Sequence, residues 1–149
     1  MTFTPADTGF AHRVRTSFER QRVMQTIGAE LVSVAPGEVV IGLAFREDLT
    51  QQHGYLHAAI VSAIVDSACG FAAYSLMPAT AAVLTIEFKV NFLAPAVGDR
   101  FVAHGRVMKA GRTVTVTTGD VVAETPAGTK SIATMLATVM TVTDRPISG

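Results

Sequence analysis

From Leu49 to Ile86 the chain carries no Lys or Arg and a single carboxylate, that of Asp66. A segment this poor in charge must be buried along most of its length. A carboxylate inside it loses water in its charged form, which costs about 2 kcal/mol or more unless the group is paired, hydrogen-bonded or put to use. Asp66 is therefore either a functional group or a well-satisfied structural anchor.

The residues around it read as one helix from His57 to Leu76, with Gly54 before and Pro78 after. At about 100° per residue, Ala59, Ser62, Ala63, Cys69, Gly70 and Ala73 share the Asp66 side, while Ile60, Val61, Ile64, Val65, Ala68 and Phe71 occupy the other. The bulky face suits packing on a sheet, and the bare stripe admits another backbone or a thin ligand close to Asp66. His57 falls opposite Asp66 and about 13 Å away, at about 1.5 Å of rise per residue, so the two form no catalytic dyad within one helix. The segment is long enough to span a bilayer. Its central Asp, however, would cost about 2.5–3.5 kcal/mol on insertion scales, and no Lys or Arg cluster flanks it, so no membrane association is expected.

With 149 residues and no linker-like stretch, the chain predicts a single domain over residues 1–149, of which 1–28 form an N-terminal helical segment. Twelve basic and twelve acidic side chains balance, and no basic run interleaves with aromatics, which argues against a nucleic-acid partner. The lone Cys69 precludes an intramolecular disulfide, and the four histidines lack metal-ligand spacing, so no metal is expected. The N-terminal MTFTPADTGF shows no charged region followed by an apolar core, and the cytoplasm is the expected compartment.

The remaining pattern gives the other elements. A short amphipathic helix over Gly9–Thr26 would turn Phe10, Val14 and Phe18 inward, with Val23 and Met24 as further candidates. Ala29–Ala35 and Glu38–Arg46 form a hairpin around Pro36-Gly37. Beyond Pro78 four strands follow: Ala81–Leu93, Arg100–Lys109, Arg112–Glu124 and Thr129–Thr143. In the first of these Leu84, Ile86, Phe88, Val90 and Phe92 alternate with Thr85, Glu87, Lys89 and Asn91. Thr113, Thr115 and Thr117 read as a solvent-facing or strand-paired ladder. About six strands and one long apolar helix suit an α+β fold in which a single curved antiparallel sheet wraps around the helix, although periodicity alone leaves other α+β arrangements open.

At the helix start, His53-Gly54-Tyr55-Leu56-His57-Ala58-Ala59 followed by Asp66 resembles the active-site pattern of PaaI-like (phenylacetate-pathway-type) hotdog-fold acyl-CoA thioesterases. The resemblance runs from about Glu30 to Thr143 and includes the strand Val83–Pro95 and the turn Lys109-Ala110-Gly111-Arg112-Thr113. It implies a hotdog fold and hydrolysis of the coenzyme A ester of an aromatic or medium-chain acid. Asp66 would be general base or nucleophile, and the Ala58 backbone N–H would hold the thioester oxygen. Thr85 would place water or the carboxylate, and Gln51, or Gln52 beside it, stands where the family has Asn.

His57 is a further catalytic candidate, although a first-turn helix residue bonded to a loop is its more ordinary role. His53, Gly54, Tyr55, Ala59 and Ser62 would surround the substrate, with Tyr55 lining an acyl pocket. Lys109 and Arg112 are placed to meet the nucleotide phosphates, against the competing reading of a solvated surface. Coenzyme A would be part of the substrate, and no separate cofactor is implied.

The chain departs from the family where two glycines are replaced by Ala58 and Ala59 and an Asn by Gln. These changes motivate the alternative of a non-catalytic acyl-CoA-binding or regulatory hotdog protein. A hydratase is a third reading, disfavoured because the helix separates His from acid. Ala58 and Asp66 lie about 12 Å apart on one rigid helix, so both reach one carbonyl carbon only from two chains. A homodimer with shared sites is expected, with a dimer of dimers as a further level of assembly.

Overall fold

The computed structural model describes residues 1–144, 146 and 147. Two helices open it, α1 (Phe10–Arg20) and α2 (Arg22–Ile27), where the sequence predicts one. The chain breaks at Gln21, whose backbone is extended (φ −78°, ψ 90°). The reason is angular: in a continuous helix Met24 and Ile27 would lie about 80° and 140° away from the Val14 direction. The break re-aims both, and Val14, Phe18, Met24 and Ile27 all become buried, while Val23 is left exposed, contrary to the expected stripe.

The strands are β1 (Ala29–Ala35), β2 (Glu38–Ala44), β3 (Ala82–Phe92), β4 (Arg100–Lys109), β5 (Val114–Thr125) and β6 (Gly128–Val142). They form one antiparallel sheet in the order β1-β2-β4-β5-β6-β3. Pro36-Gly37 makes the β1–β2 turn, with Gly37 at φ +78°, a conformation that favours glycine. The long helix α3 (Ala58–Tyr74) lies across the sheet and packs on β2, β4 and β5, with β3 and β6 beside them. Its Val61, Ile64, Val65, Ala68 and Ala72 are fully buried against Ile41, Phe101, Ala103, Val121, Ala137 and Val139. A curved six-stranded antiparallel sheet holding one long helix is the hotdog fold, as the family resemblance implies.

Two glycines set the depth of that helix. Gly105 on β4 and Gly119 on β5 face each other in register. A Cβ on Gly105 would lie 2.3 Å from the Ala68 backbone, and one on Gly119 would lie 2.7 Å from Cys69 Sγ. No side chain fits between helix and sheet at this point. Cys69, expected on the bare stripe, is thereby sealed into the core, and burial pushes its thiol up to about 12.

Of the two alternatives for the threonine ladder, solvent-facing or strand-paired, Thr115 and Thr117 take the second: both are buried, paired with Val139 and Ala137, and Thr117 Oγ1 donates to Ala137 O across the ladder. The strict alternation expected on the strand before Pro95 is broken by a bulge: Thr85 pairs with Val139, but Glu87 pairs with Thr138, leaving Ile86 as the extra residue. Thr85 and Phe88 therefore both share the helix side with their partners Val139 and Ala137, and Glu87 turns outward to accept from Thr138 Oγ1. β3 is also the sheet edge, with Leu84, Ile86 and Phe88 exposed.

Gly105→Ala should force α3 off the sheet and lower stability by about 1–3 kcal/mol, seen as a lower urea midpoint. An unchanged midpoint would mean that the helix is free to shift.

Candidate active site

Asp66 sits in the middle of α3, on the stripe that the sheet does not cover, and is half-buried. The β3 bulge brings Thr85 over it: Thr85 Oγ1 donates to Asp66 Oδ1 at 2.8 Å. Burial pushes the Asp66 carboxyl above its ordinary range, and the Thr85 hydroxyl partly offsets this by stabilising the charged form. The two line a cleft of about 260 Å³ with Gln21, Ser67, Gly70, Phe71, Val83 and Leu84. Two residues that the sequence pattern could only associate by resemblance are thus in direct contact.

The start of α3 faces a different cavity, of about 160 Å³, lined among others by Gln51, Tyr55, Ala58, Phe92, Pro95 and Ile132. The loop before the helix is held by its own backbone. Gln51 N–H donates to Tyr55 O, Gly54 N–H to Gln51 O and His57 N–H to Leu49 O. The Gln51 side-chain oxygen accepts from the His53 N–H, and Gly54 takes φ +82°, which completes the turn. Gln52 and His53 are exposed, their side-chain nitrogens 3.4 Å apart.

His57 is the N-cap of α3: its Nδ1 accepts from the Ala59 N–H at 2.9 Å. That bond commits the imidazole to closing the helix. Among the described residues nothing accepts from the Ala58 N–H, which leaves an unpaired donor on the positive end of a long helix. Ser62 Oγ donates to Ala58 O and so ties the second turn to the first. No described residue other than glycine has positive φ. Ala58 and Ala59 therefore stand in helical backbone that any residue adopts, and the family's glycines are not needed there for conformation.

The two cavities share no lining residue, and their key groups are about 12 Å apart along α3. Within one chain the Ala58 N–H and the Asp66 carboxylate do not meet. Lys109 is exposed at the end of β4, and Arg112 lines a third cavity of about 560 Å³ with Pro78 and Met140–Asp144. Neither basic side chain borders the Asp66 cleft or the helix-start cavity. Gln21 escaped the sequence reading, although its spacing was a signal: seven residues after Val14, it falls about 20° from that inward direction. Among the described residues no group of three or more His, Cys, Asp or Glu side chains is arranged to hold a metal, and no helix is long and apolar enough to cross a membrane.

The fold agrees with what the chain is similar to. Residues 53–130, from the helix-start loop to β6, match the thioesterase superfamily, and the chain belongs to that family. Among solved structures, a thioesterase family protein from Silicibacter pomeroyi is 52% identical, with a TM-score of 0.89 over 91% of this chain and 99% of that one. The 1,4-dihydroxy-2-naphthoyl-CoA hydrolase of Listeria monocytogenes is 28% identical over 94 residues, 63% of this chain and 76% of its own length. The PaaI protein of the E. coli phenylacetic acid degradation operon, at 18% identity and a TM-score of 0.78 over 89% of this chain and 96% of that one, shares the fold.

Thr85→Val removes the hydroxyl that favours the charged carboxylate, so the Asp66 carboxyl should titrate higher still. Carbon-13 detection of the side-chain carboxyl across a pH series measures this, and an unmoved titration would show that the contact has no electrostatic weight.

Proposed function

We propose that the protein hydrolyses acyl-CoA thioesters, those of aromatic or medium-chain acids, at sites shared between two copies of the chain. The observation that carries this reading is the separation of the two necessary groups. An unpaired amide on a helix N-terminus and a half-buried carboxylate lie in different cavities of one chain, and each cavity holds half of a hydrolytic site. The exposed edge β3, with Leu84, Ile86 and Phe88 uncovered, offers the means of joining them. Antiparallel pairing of this strand with its own copy about a two-fold axis sets two α3 helices side by side and brings each Ala58 toward the other copy's Asp66.

In such a site the thioester oxygen accepts from one copy's Ala58 N–H, aided by roughly half a positive charge at the helix end. Asp66 of the other copy, as carboxylate, either takes a proton from the attacking water or attacks the carbonyl carbon itself. The C–S bond then breaks and the thiolate of coenzyme A is protonated; on the first route the acid leaves with the oxygen of the water, and on the second water hydrolyses the acyl–Asp66 anhydride to free the acid and restore the carboxylate. Gln51 and Thr85 position the reacting groups, Tyr55 borders the carbonyl end, and Lys109 and Arg112 are free to meet the nucleotide phosphates. Coenzyme A enters only as part of the substrate.

Asp66→Asn should abolish thiol release. It should also stabilise the protein at neutral pH, because the folded-state pKa is raised above the unfolded value of 3.8. A carboxyl shifted in this direction favours folding when protonated, and that contribution is lost as pH rises through the raised value. The gain in melting temperature of the Asn variant should accordingly vanish in acid, and kcat/KM of the parent should rise with pH through the same raised pKa. An anchoring carboxylate would give the reverse: Asp66→Asn would destabilise.

Sharing of the site is tested through Ala58→Pro. His57 is already extended (φ −63°, ψ 138°), and proline is favoured at a first helical position, so the helix survives while its unpaired N–H disappears. Turnover should fall roughly 10²- to 10³-fold. Unfolding and refolding the Ala58→Pro and Asp66→Asn chains together should restore about a quarter of parental activity, since half of randomly formed dimers carry one intact shared site. A site contained within one chain would recover nothing.

A further inference from the structure

Gln21, at the end of α1, puts a polar side chain into a cleft that is otherwise apolar on that side. Gln21 Oε1 accepts from Ser67 Oγ at 2.9 Å, which fixes the amide beside the residue following Asp66. Among the described residues nothing accepts from its Nε2, so the donor half of the amide is free. The cleft walls near it are Phe71, Val83 and Leu84, and Gly70 leaves its floor bare, with nothing within 4 Å of where a Cβ would stand. A second cavity, of about 400 Å³, shares Gln21, Phe71 and Val83 with the first and continues outward to Ser17 and Arg20.

We infer that Gln21 is a specificity-determining residue of the acyl pocket, selecting acyl groups that carry a hydroxyl or other oxygen acceptor at their far end. The inference rests on the reading of Asp66 as the hydrolytic carboxylate. With the thioester carbon at Asp66, the pantetheine arm leaves toward solvent and the acyl group takes the side walled by Phe71, Val83 and Leu84, along which Gln21 stands. About 260 Å³ accommodates an aromatic ring. A purely apolar acyl end would cover the Gln21 N–H without replacing its hydrogen bond to water, whereas an acyl oxygen restores that bond. The Ser67 contact holds the amide in place, so that discrimination does not depend on a freely rotating side chain.

The test uses a matched pair, 3-phenylpropanoyl-CoA and its para-hydroxy derivative. The parent protein should prefer the hydroxylated ester in kcat/KM, and Gln21→Met, similar in length and lacking the amide, should reduce that preference roughly ten- to a hundredfold. Ser67→Ala, which releases the amide without touching the helix break, should reduce it in the same direction by less. A preference ratio left unchanged by both variants overturns the inference, as does a parent protein that favours the unsubstituted ester. Asp66→Asn separates this failure from that of the underlying reading: it should silence both esters, and persistent hydrolysis of either would reject the role of Asp66 regardless of Gln21. Cleavage of neither ester by the parent protein overturns the inference as well.

Discussion

The contact between α3 and the glycine pair of β4 and β5 is what the remaining geometry depends on. Because Gly105 and Gly119 have no side chains, Ala68 and Cys69 lie directly on the strands, and the helix is fixed in depth and in rotation. Rotation matters most. With Val65, Ala68 and Ala72 turned into the sheet, the Asp66 side of the helix comes out beside β3, within reach of Thr85. A helix riding higher on two alanines would move Asp66 away from the strand that holds it, and protein interiors do not absorb such a shift without loss.

Asp66 illustrates how stability and chemistry pull against each other at one position. An apolar residue on this stripe would suit the surrounding segment, and burial disfavours the charge that hydrolysis would use. A single hydroxyl from β3 compensates in part, so the carboxylate is held but not quenched by a cation. Its ion-pairing possibilities are remote in sequence as well, since no Lys or Arg lies between Leu49 and Ile86. The proposed site thus keeps a reactive group by withholding the partners that would neutralise it, an arrangement common where perturbed carboxyls serve catalysis.

The N-terminal helices contribute more than cover. Had Phe10–Ile27 formed one rod, Met24 and Ile27 could not have been buried with Val14 and Phe18; Gln21, at the break, keeps the inward direction of Val14, and its amide oxygen accepts from Ser67. The break therefore serves core packing, and the residue at it lines the cleft. No Gly or Pro marks it, and Gln has ordinary helix propensity; the one sign is that Met24 and Ile27 leave the stripe set by Val14 and Phe18.

What the chain alone determined was the inventory: a buried helix with one conspicuous acid, strands of period two, a hairpin at Pro36-Gly37, and the motif that tied Asp66 to Ala58 and Thr85 by resemblance. These are local or periodic properties, fixed by side-chain volume, charge and turn chemistry within a few residues. The bulge at Ile86, the burial of Thr115 and Thr117, and the exposure of β3 at the edge were settled only in three dimensions. Each depends on which strand lies alongside and where the helix rests, and a pattern of alternating residues has the same appearance whether its register holds or slips by one.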